Sequence, residues 1–79
     1  MILQITHTDY YEPRNMVIVK PANEAAFIVG DMLIDDCGRK YEYTSVVFER
    51  GQRPIFPHSL CLKPMYHYRG ESIATLRRV

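Results

Sequence analysis

The sequence predicts a mainly β protein, either a small antiparallel barrel that is partly open or a compact β-sandwich. The chain has 79 residues, which is enough for one domain and too few for two independent cores. Hydrophobic residues make up 47% and charged residues 24% of the chain, which is the composition of a folded globular protein. Short apolar runs bounded by turn residues recur along the chain, as is typical of small all-β folds. We therefore treat residues 1–79 as one β domain.

The first two strands are predicted from alternation and from β-branched content. Residues 2–8 alternate between two faces and form the first strand. Residues 9–15 contain proline and asparagine and are predicted to be a loop. Residues 16–20 are nearly all β-branched or long apolar and stop at Pro21, which gives the second strand.

A helical turn and a hairpin are predicted for the middle of the chain. One short helical turn is allowed near residues 23–27, because Asn23 is a residue type that caps helices. Gly30 marks a turn between two apolar runs. Residues 32–34 and 40–48 then form a hairpin, because aspartate and glycine lie at the turn positions between them. Within residues 40–48 the alternation of apolar and polar residues is interrupted, which indicates a bulge or a strand buried on both sides.

The last third of the chain is less regular. Residues 55–64 carry several prolines, so we expect an irregular or edge segment, because proline lacks the donor that a central strand needs. Residues 66–69 and 72–79 flank Gly70 and are predicted to close the sheet as a hairpin. The spacing of apolar residues in 72–79 also fits a helix, and we favour a strand.

Five or six short strands are too few for two full sheets, so the barrel is expected to be of the SH3-like kind. The order Val29-Gly30-Asp31, apolar run, Asp35 to Gly38 and strand resembles many small barrels. This likeness concerns the fold alone, and no functional residue is carried over from it.

Charge and cysteine content exclude several classes. The formal net charge is +1, which disfavours a dedicated nucleic-acid binder. Cys37 and Cys61 are the only cysteines and do not form the pattern of a secreted disulfide framework. The longest apolar run, residues 25–29, is far shorter than the roughly 20 residues of a membrane helix. We expect a cytoplasmic protein with no membrane partner.

A thiol or zinc site is the strongest chemical alternative. His58 and Cys61 have the two-residue gap that allows two side chains to reach one metal ion, and His67 follows closely. Cys37 would have to supply the fourth ligand from a distant turn. The chain has no motif of a catalytic elbow, a phosphate loop or a metalloprotease. We therefore expect no catalytic residue, metal or cofactor, and the sequence leans against an enzyme.

The tyrosines are the most distinctive feature. Six tyrosines and no tryptophan are present, and spacing of two along a strand places both rings of a pair on one face. Such strips bind protein partners, stack unpaired bases, or pack half-buried across strands. The candidate binding residues are Tyr41, Tyr43, Tyr66, Tyr68, Arg69 and Arg77.

These features predict a non-catalytic macromolecular-interaction module. We expect it to bind a protein partner, as an adaptor, inhibitor or assembly subunit, or to self-associate through tyrosine-rich sheet faces and edges. A small barrel that binds single-stranded nucleic acid is the alternative, and its affinity is expected to be weak because few cations are available to neutralise phosphates. A protein that uses Cys61 with His58 and His67 is the third hypothesis.

Overall fold

Six antiparallel strands close into one barrel in the computed structural model, which describes residues 1–46 and 59–79. The mainly β fold predicted from the sequence is confirmed. Around the barrel the strands follow the order β1-β2-β5-β4-β3-β6. Their bounds are β1 (Ile2–Tyr11), β2 (Met16–Pro21), β3 (Met32–Asp35), β4 (Lys40–Val46), β5 (Leu60–Pro64) and β6 (Thr75–Arg78).

The barrel is closed, not partly open, because β6 pairs with strands on both of its sides. Leu76 lies opposite Leu3 of β1 on one side and opposite Asp35 of β3 on the other. The strand favoured for the C-terminal segment is therefore confirmed over the helix. The closing hairpin with residues 66–69 is wrong, since these residues belong to a loop that spans 65–74 between β5 and β6.

The barrel interior is filled by alternate residues of the strands, together with side chains from the 65–74 loop. Full burial of such a side chain contributes roughly 1.5–3 kcal/mol. The buried apolar and aromatic residues are Leu3, Val17, Val19, Leu33, Tyr41, Tyr43, Leu62, Tyr68, Ile73 and Leu76.

The first hairpin is longer than the alternation of residues 2–8 suggests. β1 continues to Tyr11, which lies opposite Met16 of β2, and only the 3-10 turn Glu12–Arg14 and Asn15 separate the strands. Asn15 ends the turn in the left-handed region, with φ +50°, which asparagine adopts more readily than most residues. The loop predicted for 9–15 is thus too long, because Tyr10 and Tyr11 gain cross-strand partners.

The hairpin between β3 and β4 is confirmed. Asp35 and Arg39 close it through a backbone hydrogen bond of 3.0 Å, and the Gly38 amide donates to the Asp35 carbonyl at 3.1 Å. Gly38 has φ +82°, as the left-handed position of a short hairpin loop requires. The register between β4 and β5 shifts between Tyr43 and Ser45, so the predicted slip in alternation is a bulge.

Two further expectations are corrected. No helical turn forms near residues 23–27; the side chain of Asn23 instead accepts from the Gln4 amide at 2.7 Å and donates to the Ile2 carbonyl at 2.9 Å, so it bonds the backbone of β1.

β5 is not an edge strand, because it lies between β2 and β4. Its proline, Pro64, is tolerated as the last residue of the strand. Residues 55–58 of the predicted irregular segment lie outside the described residues.

Within residues 1–46 and 59–79, no helix has the length and apolarity needed to cross a membrane.

Candidate functional site

One end of the barrel holds a cluster of tyrosines around a buried carboxylate. β3 ends there, β4 begins there, and the 65–74 loop crosses it. We call this region the tyrosine end and define it as Tyr10, Asp35, Arg39, Tyr41, Tyr66, Tyr68 and Glu71.

Asp35 is the centre of this cluster and is only 5% exposed. Its Oδ1 atom accepts from the backbone amides of Cys37 and Arg39, both at 2.9 Å. Its Oδ2 atom accepts from Arg39 Nε at 2.8 Å and from the Tyr41 hydroxyl at 2.9 Å. Burial alone would raise the pKa of Asp35, but these hydrogen bonds outweigh it and hold that pKa below its ordinary value. The carboxyl group is therefore ionised near neutral pH.

The Tyr41 and Tyr66 hydroxyls continue the network, with their oxygen atoms 2.6 Å apart. An ionised Asp35 carries no proton, so Tyr41 donates to it. A tyrosine hydroxyl has a single proton, and Tyr66 is therefore the donor to Tyr41. Burial, together with the hydrogen bonds to Tyr66 and Asp35, raises the pKa of Tyr41 far above its ordinary value.

The 65–74 loop is attached to the barrel end by aromatic and ionic contacts. Arg39 lies 5.5 Å from the centre of the Tyr66 ring, and its Nη1 atom is 3.7 Å from Oε1 of Glu71. The buried side chain of Tyr68 belongs to this loop; its ring centre is 4.8 Å from that of Tyr10, and its hydroxyl donates to the Glu71 carbonyl. These contacts hold the loop over the open end of the barrel.

The chemistry of the tyrosine end is that of a closed structural network. Both oxygen atoms of Asp35 accept two hydrogen bonds each, and the hydroxyl protons of Tyr41 and Tyr66 are both donated within the network. A general base or nucleophile needs an atom that reaches a substrate, and these three groups are committed to one another. The network therefore stabilises the hairpin and the loop.

The predicted binding residues separate into buried and accessible groups. Tyr41, Tyr43 and Tyr68 are buried. Spacing of two places the rings of Tyr41 and Tyr43 on one face of β4, and that face points into the barrel, which agrees with the packing alternative for this pair. Tyr66 is half-buried and Arg69 is exposed on the same loop as Tyr68.

Arg77 lies away from the tyrosine end, on the exposed side of β6. It pairs with Ile2 of β1 and with Ile34 of β3. These three residues line a small cavity of about 30 Å³, which is space for about one water molecule. The structure thus does not place Arg77 in one site with Tyr66 and Arg69.

Three of the four residues of the thiol or zinc hypothesis are described, and they lie in different elements of the fold. Cys37 is exposed in the turn between β3 and β4, Cys61 is half-buried in β5, and both are free thiols. His67 is exposed in the 65–74 loop. In the part of the chain that the structure describes, no three metal-ligating side chains gather. His58 lies outside those residues.

A second candidate site is a β-turn at the opposite end of the barrel, which we call the apolar turn, Ile28 to Asp31. The Asp31 amide donates to the Ile28 carbonyl at 3.0 Å, and Gly30 has φ +100°, so the turn has the character of type II. Ile28 and Val29 are 73% and 67% exposed. Sequence reasoning predicted a turn here and missed its accessibility, which depends on where the turn lies on the barrel.

The apolar turn is held in place by polar contacts on its inner side. Oδ2 of Asp31 accepts from the Ile28 amide and from Arg78 Nη2, both at 3.0 Å. The Gly30 amide donates to the Tyr43 carbonyl at 2.9 Å, and the Tyr43 amide donates to the Asp31 carbonyl at 2.9 Å. The exposed apolar side chains are therefore presented by a backbone anchored to both β4 and β6.

Comparison with known proteins gives no match to a family model, to a curated protein or to a solved structure. The function is therefore inferred from the geometry of this chain.

Proposed function

We propose that this chain is a non-catalytic protein-binding module that contacts its partner through the apolar turn. One observation carries the proposal: Ile28 begins a turn whose tip holds Val29, and the two side chains are 73% and 67% exposed. Turn tips are usually polar or glycine-rich, and an exposed apolar cluster marks an interaction surface. Met1 and Val79 are also exposed apolar residues.

Contacts on both sides of the apolar turn connect it to the two ends of the chain. The Ala26 amide lies 2.9 Å from the sulfur of Met1, and Arg78 donates to the Ala26 carbonyl at 3.1 Å. The Val79 amide donates to the Met32 carbonyl at 3.0 Å. The chain on both sides of the apolar turn is thus connected to the ends of β1 and β6.

The rigidity of the turn favours binding. Isoleucine and valine are β-branched and have few side-chain conformations to lose, and the hydrogen bonds of Asp31 and Gly30 already order the backbone. Binding through a preorganised segment costs less conformational entropy than binding through a mobile one. Two apolar side chains on such a turn suit a shallow apolar pocket on another protein.

A protein partner fits this surface better than a nucleic acid does. Affinity for nucleic acid comes mainly from phosphate neutralisation, whereas the apolar turn is uncharged at its tip and the chain carries a net charge of +1. Tyr68, one of the predicted base-stacking residues, is buried. The contacts predicted at Tyr66, Arg69 and Arg77 remain predictions, and these residues lie outside the apolar turn.

The experiment compares capture by the full chain with capture by an Ile28→Ser/Val29→Ser variant. The immobilised proteins are exposed to extract of the native cell, and bound proteins are quantified by mass spectrometry. We expect at least one protein to be captured by the wild type and reduced at least tenfold with the variant. Met65→Ser is the matched control, because Met65 is also an exposed apolar residue and begins the 65–74 loop at the other end of the barrel.

Three outcomes would overturn the proposal. Equal capture by the wild type and the double variant would show that the partner does not bind through the apolar turn. If the wild type captures no protein specifically, the proposed protein-binding function is refuted. If the chain binds a short single-stranded oligonucleotide, and this binding weakens steeply as salt rises, the partner is a nucleic acid and not a protein. Thermal melts of all variants establish that they fold, and exposed substitutions are expected to change stability by less than about 0.5 kcal/mol.

A further inference from the structure

The segment between β2 and the apolar turn lies against the start of β1. Residues 22–27 are neither helix nor strand. The Ala22 amide donates to the Gln4 carbonyl at 2.7 Å, and the Ala26 amide lies 2.9 Å from the sulfur of Met1. The segment is therefore attached to β1 near one of its ends and to Met1 near the other.

A shallow groove of about 340 Å³ lies where this segment meets Met1. Its lining residues are Met1, Glu24, Ala25 and Ala26. Three of these side chains are apolar, and the fourth, Glu24, is charged and exposed. The groove thus offers apolar walls beside one carboxylate, which suits a ligand that combines a carbon chain with a polar end.

The charge of Glu24 is not balanced by a neighbour in the part of the chain that the structure describes. None of the ion pairs found there includes Glu24. Arg78 contacts the segment, but its Nη2 atom donates to the Ala26 carbonyl and to Oδ2 of Asp31. Arg77 lies on β6, and β1 separates β6 from β2, from which the segment continues. The complement of this groove is therefore a cation.

We propose that the groove binds an arginine side chain of the partner protein, with the guanidinium group at Glu24 and the carbon chain along Met1, Ala25 and Ala26. Arginine buries its carbon chain along apolar surface and keeps its charged head in water. Its guanidinium group can form two parallel hydrogen bonds with a carboxylate. Arginine is also enriched at protein interfaces, whereas lysine is depleted. This inference rests on the proposed function, because it names the chemistry of the partner that contacts the apolar turn.

The groove and the apolar turn are close enough for one partner to contact both. Glu24 and Ile28 are four residues apart, so at most about 14 Å of extended chain separates them. A standard interface covers about 800 Å² on each partner, which corresponds to a patch roughly 30 Å across. In the proposed complex Ile28 and Val29 enter an apolar pocket, and an arginine beside that pocket reaches Glu24.

Nα-acetyl-arginine amide is the probe for the groove, and its neutral isostere Nα-acetyl-citrulline amide is the control ligand. Each compound is titrated into the isotope-labelled full chain while the backbone amide shifts are recorded by NMR. We expect saturable shifts at Glu24, Ala25 and Ala26 with the arginine compound, and binding of the citrulline compound at least threefold weaker. The absence of shifts at these residues, or equal binding of the two compounds, would overturn the proposal.

Two substitutions of Glu24 test the carboxylate. Glu24→Gln is expected to weaken binding of the arginine compound about threefold, as for the loss of one exposed ion pair. Glu24→Lys adds repulsion and is expected to weaken it at least fivefold. Glu12→Lys is the matched control, because Glu12 is exposed and follows the other end of β1, and its affinity is expected to equal that of the wild type.

Two results with these proteins would contradict the proposal. One is an unchanged affinity for the arginine compound in both variants of Glu24. The other is a shift of the Glu24, Ala25 and Ala26 amides with protein concentration alone, since the groove would then be occupied by a second copy of this chain.

The protein captured through the apolar turn tests whether the groove belongs to the same contact. Charges at the rim of an interface act mainly on the association rate and on its salt dependence. The wild type is expected to associate more slowly as salt rises. Glu24→Lys is expected to associate at least fivefold more slowly than the wild type at low salt and to lose this salt dependence. A variant that associates like the wild type at every salt concentration would overturn the proposal.

The two proposals fail separately. A wild type that captures no protein but binds the arginine compound refutes the proposed function and supports the groove as an arginine site. A partner that is lost with Ile28→Ser/Val29→Ser and associates normally with Glu24→Lys supports the proposed function and refutes the role of the groove.

Discussion

The hydroxyl group of Tyr41 donates a 2.9 Å hydrogen bond to Oδ2 of Asp35 inside one end of the barrel. Asp35 caps the turn between β3 and β4 through two backbone amides, and Tyr41 also bonds to Tyr66 of the 65–74 loop. One buried hydroxyl therefore connects the hairpin to the loop that covers the barrel end. Removing it leaves the Asp35 carboxylate with one donor fewer and deprives Tyr66 of its acceptor.

Tyr41→Phe is expected to lower the free energy of unfolding by about 2 kcal/mol, because it removes two buried hydrogen bonds, one of them to a charged group. The aromatic ring and its packing remain. Urea denaturation of the variant and the wild type measures the difference.

Tyr66→Phe is the control for this substitution. It removes only the bond between the two hydroxyls from a half-buried ring, and its expected cost is about 1 kcal/mol. If Tyr41→Phe costs no more than Tyr66→Phe, the bond between Tyr41 and Asp35 contributes nothing to stability.

Acid is expected to destabilise the fold through Asp35. The pKa of Asp35 is lowered in the folded chain, so between this value and the unfolded value of about 3.9 the unfolded state binds more protons. The stabilisation is present above about pH 4 and is lost as the pH falls through the folded pKa. Asp35→Asn is therefore expected to be about 2 kcal/mol less stable at pH 7 and to approach the wild type in strong acid.

Asp36→Asn is the neighbouring control for this pH dependence, because Asp36 is exposed. Its effect at pH 7 is expected to stay within about 0.5 kcal/mol. Thermal melts across the acid range measure all three proteins. A constant difference between the wild type and Asp35→Asn at every pH would contradict the assigned role of the ionised carboxylate.

Alkali is expected to unfold the barrel because burial raises the pKa of several tyrosines. The affected residues are Tyr41, Tyr43, Tyr66 and Tyr68. Above about pH 10 the unfolded tyrosines lose protons that the folded ones retain, so the free energy of unfolding falls as the pH rises. We expect tyrosinate absorbance to rise cooperatively with loss of circular dichroism. Ionisation of all six tyrosines near pH 10 in an intact fold would contradict this prediction.

Local signals in the sequence predicted the strand at residues 16–20, the hairpin with Gly38 and the break in alternation within β4, because each depends on residues close together in the chain. The sequence also placed aspartate at the turn of this hairpin, and in the structure the side chain of Asp35 accepts from the amides of Cys37 and Arg39 there. The partners Tyr41 and Tyr66 were not predictable, since they come from different strands and loops.

Long-range packing explains what sequence reasoning missed. Residues 66–69 have the composition of a strand, yet Tyr68 is drawn into the barrel end against Tyr10, and Ile73 is also buried there. The same need to fill the interior directs Tyr41 and Tyr43 inward. Spacing along a strand shows which residues share a face, but the closure of the barrel decides which face is buried.

Gly38 links the hairpin backbone to this network and provides the last test. Gly38→Ala is expected to cost about 1–2 kcal/mol, because φ is +82° and residues with a Cβ atom pay for the left-handed conformation. A Cβ atom at this position meets nothing within 4 Å, so the cost comes from the backbone alone. Asn tolerates this region better than alanine, and Gly38→Asn is therefore expected to lose less stability in urea denaturation. Equal stability of Gly38→Ala and the wild type would show that the turn relaxes freely, and the amides that bind Asp35 would then not be fixed by it.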